Sequence, residues 1–469
     1  MGLAMMQMTI RAELENYLKK NGITINQFSE VSGVNSGTIS NIINGNRPVA
    51  MQQLDRITEG MGLAEGSFYE LYVEECFYQS ALNWRRLGPL IFRCAELDKL
   101  DSIKQVVGVL MDNLSYAPAL FETAEALFKQ EKYTAAAILY ESVAESEKYQ
   151  HSERLALCQY RLFKIALCED QEINLKAAVQ FESFVNRLDE VDQLDALKDL
   201  ANTYTSLRRM DKVEELAKEM GHKATILYKY RCEKDRKKEF FKEPTRPLFL
   251  YISYSNVLCT VAYGTRGEYD QALYYASLYA DMSWVQENTD EAKQIISQFE
   301  GWSTANRYLY LLMKGNFDVL QEYIAHIEQQ DEEVLPALYK IFQAANRYCW
   351  NVDDIILRFE SNIELFKRQH GGTSTYNPQV TDDRYARFII ELSYYYLSKK
   401  EYDIGIDYLL YILEISSIIN NEACLIRCVG LFEQYRSKSS FEAIQRYQNL
   451  ISEVQRRNDE KNGFVIDSV

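Results

Sequence analysis

From Ser67 to Asp459 apolar residues recur at intervals of three and four, separated by short polar breaks, and the whole chain holds only seven prolines. That spacing lines the apolar side chains of each segment along one stripe of a helix, and the scarcity of proline leaves backbone N–H groups free to bond back along the turn. The pattern predicts an all-α fold. At 469 residues the chain is also too long for a single core, so it must divide into domains or form an array of helical units.

Repetition favours the array. Several predicted helices open with an aromatic residue followed three places on by a small one: Tyr133 with Ala136, Tyr269 with Ala272 and Tyr402 with Gly405. A small residue one turn into a helix lets a second helix pack closely on the first. Phe317 after Gly315 marks a further copy, and looser starts fall near Asp101, Asn174, Asp211 and Asp353. Their period is irregular and close to about forty residues, which resembles a degenerate tetratricopeptide array, whose standard unit is somewhat shorter. The expected fold class is therefore all-α, with a right-handed tetratricopeptide-like α-solenoid over residues 71–459, a possible break at 229–247 and a capping helix at 441–457.

A second repeat is sharper. Ala305-Asn306-Arg307-Tyr308 recurs as Ala345-Asn346-Arg347-Tyr348 forty residues later, and Ala201-Asn202-Thr203-Tyr204 is an imperfect third copy. If these segments lie on the first helices of successive pairs, their asparagines line a concave groove. There each amide can donate to a peptide carbonyl and accept from a peptide N–H, which suits an extended peptide. Arg307 and Arg347 can clamp a carboxylate through the guanidinium fork. Asn202, Asn306 and Asn346 are the expected peptide ligands, with Asn256 on the first helix before Tyr269. The alternative is packing, with Ala at the helix contact, Tyr in the core, and Asn and Arg solvated.

Ahead of the array, Thr24–Asn44 predicts two short helices around a tight turn. Thr24 can cap the first helix, Phe28 and Val31 lie on one face of the turns that follow, Gly33 makes the turn, and Val34 and Ile39 point inward to pack the second helix on the first. Ser36, Gly37, Thr38, Ser40 and Asn41 leave that second helix a small, polar outer face able to approach base edges. Helices at 11–21 and 51–61 complete a small domain. The stretch from Ile10 to Leu63 resembles the Cro/phage-repressor class of helix-turn-helix domains, including Gln27, the Gly33-Val34 turn and the Gly45-Asn46-Arg47-Pro48 loop. The resemblance implies a DNA-binding domain at 9–64, with Ser36, Thr38, Ser40 and Asn41 reading bases, Gln27 and Arg47 on phosphates, and a hinge at 65–70.

Charge limits how such a domain can work. Residues 1–66 carry five basic side chains (Arg11, Lys19, Lys20, Arg47, Arg56) against six acidic ones (Glu13, Glu15, Glu30, Asp55, Glu59, Glu65), so no basic face attracts phosphate. One copy should bind weakly, and a homodimer on two half-sites is the simple remedy. The formal net charge of −16 lies almost wholly in the array, which excludes DNA binding along its length. Residues 229–246 are basic and run into two prolines, hence the expected break. Arg85, Arg86 and Arg93 either reach DNA or pair with nearby glutamates.

Nothing in the sequence calls for catalysis. The nine cysteines lack paired spacing, the histidines (His151, His222, His326, His370) lie far apart, and Cys424 with Cys428 has no companion ligand nearby. No G-x-S-x-G, H-E-x-x-H or Rossmann glycine set occurs, and the loop at 370–378 has no lysine to make a P-loop. No enzyme activity and no cofactor are expected. Without a signal peptide or an apolar run of membrane-spanning length, the expected location is the cytoplasm with no membrane partner.

A Cro-like reader followed by tetratricopeptide-like repeats resembles the RRNPP group of bacterial quorum-sensing receptors, nearest in layout to its NprR-like and phage arbitrium (AimR-like) members. The resemblance implies a homodimer on a double-stranded DNA operator, a short signalling peptide in the concave groove, and asparagines holding the peptide backbone. Two alternatives share the array: a scaffold for a protein partner with a vestigial helix-turn-helix, and a receptor that inhibits a signalling phosphoprotein.

Overall fold

The computed structural model describes residues 9–78, 83–150, 152–168, 170–234, 242–328, 331–368, 378–418 and 421–461. Among them the protein is 80% helix, in 24 α-helices, with no strand. The contacts divide the chain into two compact units, Met1–Thr203 and Tyr204–Val469.

The first unit opens with four short helices, α1 (Ile10–Asn21), α2 (Ile25–Ser32), α3 (Ser36–Ile43) and α4 (Met51–Gly60). It continues through α5 (Tyr69–Tyr78), α6 (Trp84–Glu96), α7 (Leu100–Leu110), α8 (Ala117–Lys129), α9 (Tyr133–Ser146), α10 (Glu153–Ala166) and α11 (Gln171–Glu182) into α12 (Glu190–Ser206). Ile10, Leu14 and Leu18, four residues apart, present one buried stripe of α1 to Phe28, Ile39, Leu54 and Ile57. Each side chain buried in this way contributes roughly 1.5–3 kcal/mol. The core they start is continuous through α5 to α10 and reaches Cys158.

Of residues 65–70, expected as a hinge, Glu65, Ser67 and Glu70 are exposed and Gly66, Phe68 and Tyr69 are buried. The Tyr69 hydroxyl donates to Asp55 Oδ1 on α4 at 2.7 Å. Arg93 on α6 pairs with Asp55 at 3.1 Å and also with Glu65 and Glu96, while Arg86 lies over the Tyr72 ring. These contacts tie the segment between α4 and α5 to α4 and α6.

The second unit runs through α13 (Met210–Lys234), α14 (Leu248–Arg266), α15 (Tyr269–Ser277), α16 (Asp290–Met313), α17 (Leu320–Ile327) and α18 (Asp331–Tyr348). It ends with α19 (Asp353–Arg358), α20 (Glu360–Arg368), α21 (Pro378–Ser398), α22 (Tyr402–Ile418), α23 (Glu422–Tyr435) and α24 (Phe441–Lys461). Helices pack chiefly on their neighbours in the chain, α13 on α14, α14 on α15 and α21 on α22, while α18 packs on α21, past α19 and α20 in the sequence. Of the expected break at 229–247, residues 229–234 belong to α13 and 235–241 lie outside the described residues; α13 and α14 lie along each other, and the division between units falls within α12.

The helix starts read from the sequence are found. Tyr133, Tyr269 and Tyr402 open α9, α15 and α22, and Phe317 opens a single 3-10 turn leading into α17. Asp101, Asn174, Asp211 and Asp353 lie in the first turns of α7, α11, α13 and α19. Ala136 and Ala272 are fully buried. At Gly405 a Cβ would stand 2.7 Å from Leu397 Cγ, so only glycine lets α22 approach α21 this closely.

Candidate functional site

The α2–α3 pair is held by local chemistry. Thr24 caps α2 by accepting from the Gln27 N–H at 3.2 Å, and Gln27 Oε1 accepts from the Thr24 N–H at 2.9 Å, closing a capping box. Gly33 ends the helix at φ 63°, a left-handed conformation that glycine adopts without strain, and Arg56 donates to its carbonyl at 3.2 Å. Asn35 caps α3 by accepting from Gly37 N–H at 2.9 Å. Gly60 lets α4 close on α2, since a Cβ there would stand 2.7 Å from Ser32 Cβ.

These contacts fix which way α3 faces. Ile39 and Ile42 are buried, Ser36, Thr38 and Ser40 are half-buried, and Gly37 and Asn41 are exposed. Asn44 Nδ2 donates to Ser40 Oγ at 3.4 Å, and Arg47 is exposed on the following loop. Gln27 spends its oxygen on the cap and keeps only its Nε2 to donate outward. One expectation fails: Val31 is 69% exposed, because α2 turns Phe28 and Ser32 to the core and leaves Val31 outside. Of the five basic residues in this region, Lys19 pairs with Glu15 at 2.7 Å, Arg56 holds the turn and Arg11 lies over Gly45.

The repeated asparagines fall near the C-terminal ends of α12, α16 and α18. Asn202 lies in the first unit and is exposed; Asn256, Asn306 and Asn346 lie in the second and are half-buried. Two of these amides already donate within the protein. Asn306 Nδ2 reaches the Tyr279 hydroxyl at 3.0 Å, and Tyr279 reaches Thr260 Oγ1 at 3.5 Å, tying α14 to α16. Asn346 Nδ2 donates to the Glu391 carbonyl at 2.9 Å and to Glu391 Oε2 at 2.8 Å. Arg307 is exposed; Arg347, also exposed, lies over Tyr348 with Nη1 3.4 Å from the Tyr269 hydroxyl. The tyrosines of the repeat pack, with Tyr348 donating to the Met313 carbonyl at 2.8 Å.

Sequence inspection missed the charged cluster that Asn346 joins. Glu391 on α21 is buried, and its Oε1 accepts from Arg427 Nη2 on α23 at 2.6 Å. Lys340, two turns before Asn346 on α18, donates to Gln343 Oε1 at 3.1 Å. Burial holds the Lys340 ammonium below its ordinary range; Glu391 pulls it back up, while Arg208 and Arg387 push it further down. Only the i, i+4 spacing of Arg387 and Glu391 was visible beforehand, since the other members come from three separate helices or turns.

Cys424 and Cys428 are both buried, and burial pushes the Cys428 thiol up, away from nucleophilic thiolate. His151 and most of the loop at 370–378 lie outside the described residues. No described helix is long and apolar enough to cross a membrane. Comparison with models of protein families and with curated proteins finds no match to this sequence.

Proposed function

We propose that the chain is a DNA-binding regulator of the RRNPP type, in which α1–α4 act as a helix-turn-helix reader and the later helix pairs form a tetratricopeptide-like right-handed solenoid that holds a short signalling peptide. The observation that carries this is α3: two isoleucines anchor one side, and the other side presents only small polar residues, with Asn41 exposed. A helix of that character fits the major groove without steric penalty, and its hydroxyl and amide groups can contact base edges. Ser36, Thr38, Ser40 and Asn41 read bases; Arg47 and the Gln27 amide contact phosphate. Because few cations around α3 are free for phosphate, two copies must act together, and the protein works as a cytoplasmic homodimer. The exposed Phe441 and Ile426 on α24 and α23 supply apolar surface for that contact. Peptide binding would then alter the separation of the two recognition helices, and half-sites tolerate only a fraction of a helical turn.

The test is selection of duplexes from a random pool with the purified full chain. A sequence with two half-sites should be enriched, and Thr38→Ala with Asn41→Ala should weaken it by about 1–3 kcal/mol per lost base contact at unchanged thermal stability. Enrichment of no sequence would overturn the proposal. The deficit of free cations favours one other reading, a scaffold with a vestigial reader, which that outcome would support.

A further inference from the structure

A cleft of about 320 Å³ opens in the first unit between α9, α10 and the end of α11. α10 packs both on α9 and on α11 with the 3-10 turn Val185–Arg187 that follows it. Leu155, Gln159 and Leu162, at i, i+4 and i+7, line the cleft from α10, while Ala144 on α9 and Phe184 after α11 complete its apolar part. Leu155 and Ala144 are buried, and the single methyl of Ala144 leaves room that a longer side chain would take. A space of this size holds about ten waters, or one small organic molecule of roughly ten non-hydrogen atoms.

The rim decides which charge fits. Glu141, Glu145 and Lys148 are exposed at the mouth, and Lys148 is already paired with Glu145, so the Glu141 carboxylate is left over. Among the described residues neither Glu141 nor the half-buried Gln159 amide has a hydrogen-bond or ion-pair partner. Arg187 lies over the Phe184 ring at 4.9 Å and does not line the cleft. An uncompensated carboxylate beside an apolar floor repels anions and favours an ammonium carried on a hydrocarbon body, with the Gln159 oxygen free to accept a second N–H.

We propose that this cleft is a binding site for a small amphipathic amine. The apolar body rests on Leu155, Leu162 and Phe184, and the ammonium donates to the Glu141 carboxylate and Gln159 Oε1. The site goes beyond the peptide reading, since none of the repeated asparagines lines it.

The experiment uses the full chain and phenethylamine as probe, with phenethyl alcohol as its neutral counterpart, hydrocinnamate as its anionic one and ethylamine as the ammonium without the ring. Saturation-transfer NMR titrations at neutral pH, where the amine is protonated, give the affinities. The amine should bind about fivefold tighter than the alcohol, the most that a partly solvated ion pair supplies, with hydrocinnamate and ethylamine weaker than both. Glu141→Gln should bring the amine down to the level of the alcohol at an unchanged melting point, because the carboxylate has no partner to lose. Ala144→Met should block amine and alcohol alike by filling the floor, and Gln159→Met should do the same from a half-buried position where no hydrogen bond is lost. Equal binding of amine and alcohol, a preference for hydrocinnamate, a preference that survives Glu141→Gln, or no saturation transfer would each overturn the site. Transfer untouched by Ala144→Met and Gln159→Met would put the amine elsewhere on this acidic chain and overturn it too. So would transfer that fades as the chain is concentrated, because a second copy would then be the occupant.

Discussion

The outer face of α3 and the strip shared by α18, α21 and α23 are both polar, and they use their polar groups in opposite ways. The caps there are local, Thr24 on α2 and Asn35 on α3 bonding within three residues of themselves, and the outward hydroxyls and amide of α3 remain on the surface. On the strip, Glu391 draws Asn346 and Arg427 from 45 and 36 residues away into one network. A surface helix can trade partners at little cost, which suits contact with a large, hydrated ligand. A buried network holds fixed positions, and its members cannot trade partners without breaking it.

The largest expected effect tests whether α1–α4 have a core of their own strength. Phe28→Ala should cost about 3–5 kcal/mol in urea denaturation, since the ring is fully buried and packs edge-on against Tyr17. A loss near zero would mean that α2 is held only by its caps. On the strip, Arg427→Met should cost about 2 kcal/mol by stranding a buried carboxylate, less than for a fully buried pair because the arginine is partly solvated. Glu391→Gln should cost less, and the reverse order would show that Asn346, not Arg427, carries the network.

Acid separates a third network from both regions. Burial favours the neutral form of Glu214, but hydrogen bonds from Lys218, Tyr263 and Arg266 outweigh it and hold the carboxyl at about 2 against an ordinary 4.5. A depressed folded value means stability that is present above the unfolded value and lost as pH falls through the folded one. Glu214→Gln should therefore flatten the stability curve between about pH 4.5 and 2. Denaturation midpoints across that window would show it, and an unchanged slope would assign the acid loss elsewhere.

The smallest effects contrast neighbours on α2. Thr24→Ala should cost about 1 kcal/mol through the lost cap. Val31→Ala should stay within about 0.5 kcal/mol because the side chain is already in water. Thermal unfolding of the two variants side by side resolves the difference, and a larger loss at Val31 would place it under a partner.

Much of this was legible in advance, and the limits follow from range. The helix starts at Tyr133, Tyr269 and Tyr402 were readable because aromatic-plus-small spacing acts within one turn. The Thr24 cap and the Gly33 turn were readable for the same reason. Val31 was misplaced because two positions three residues apart on a short helix share a face only approximately, and which one turns inward depends on where α4 and α1 lie. The Asn-Arg repeat was visible as a repeat, but its meaning was not. Sequence identity cannot say that Asn306 meets a tyrosine hydroxyl and Asn346 a glutamate.

The sequence by itself determined that the described residues are helical and where the short helices near the N-terminus begin and end, because periodicity and capping are decided by residues a few positions apart. Only the tertiary structure decided that the first four helices share a continuous core with those that follow, and that Glu391, Asn346 and Arg427 meet. Those contacts join helices dozens of residues apart, and no local preference for helix records which of them will touch.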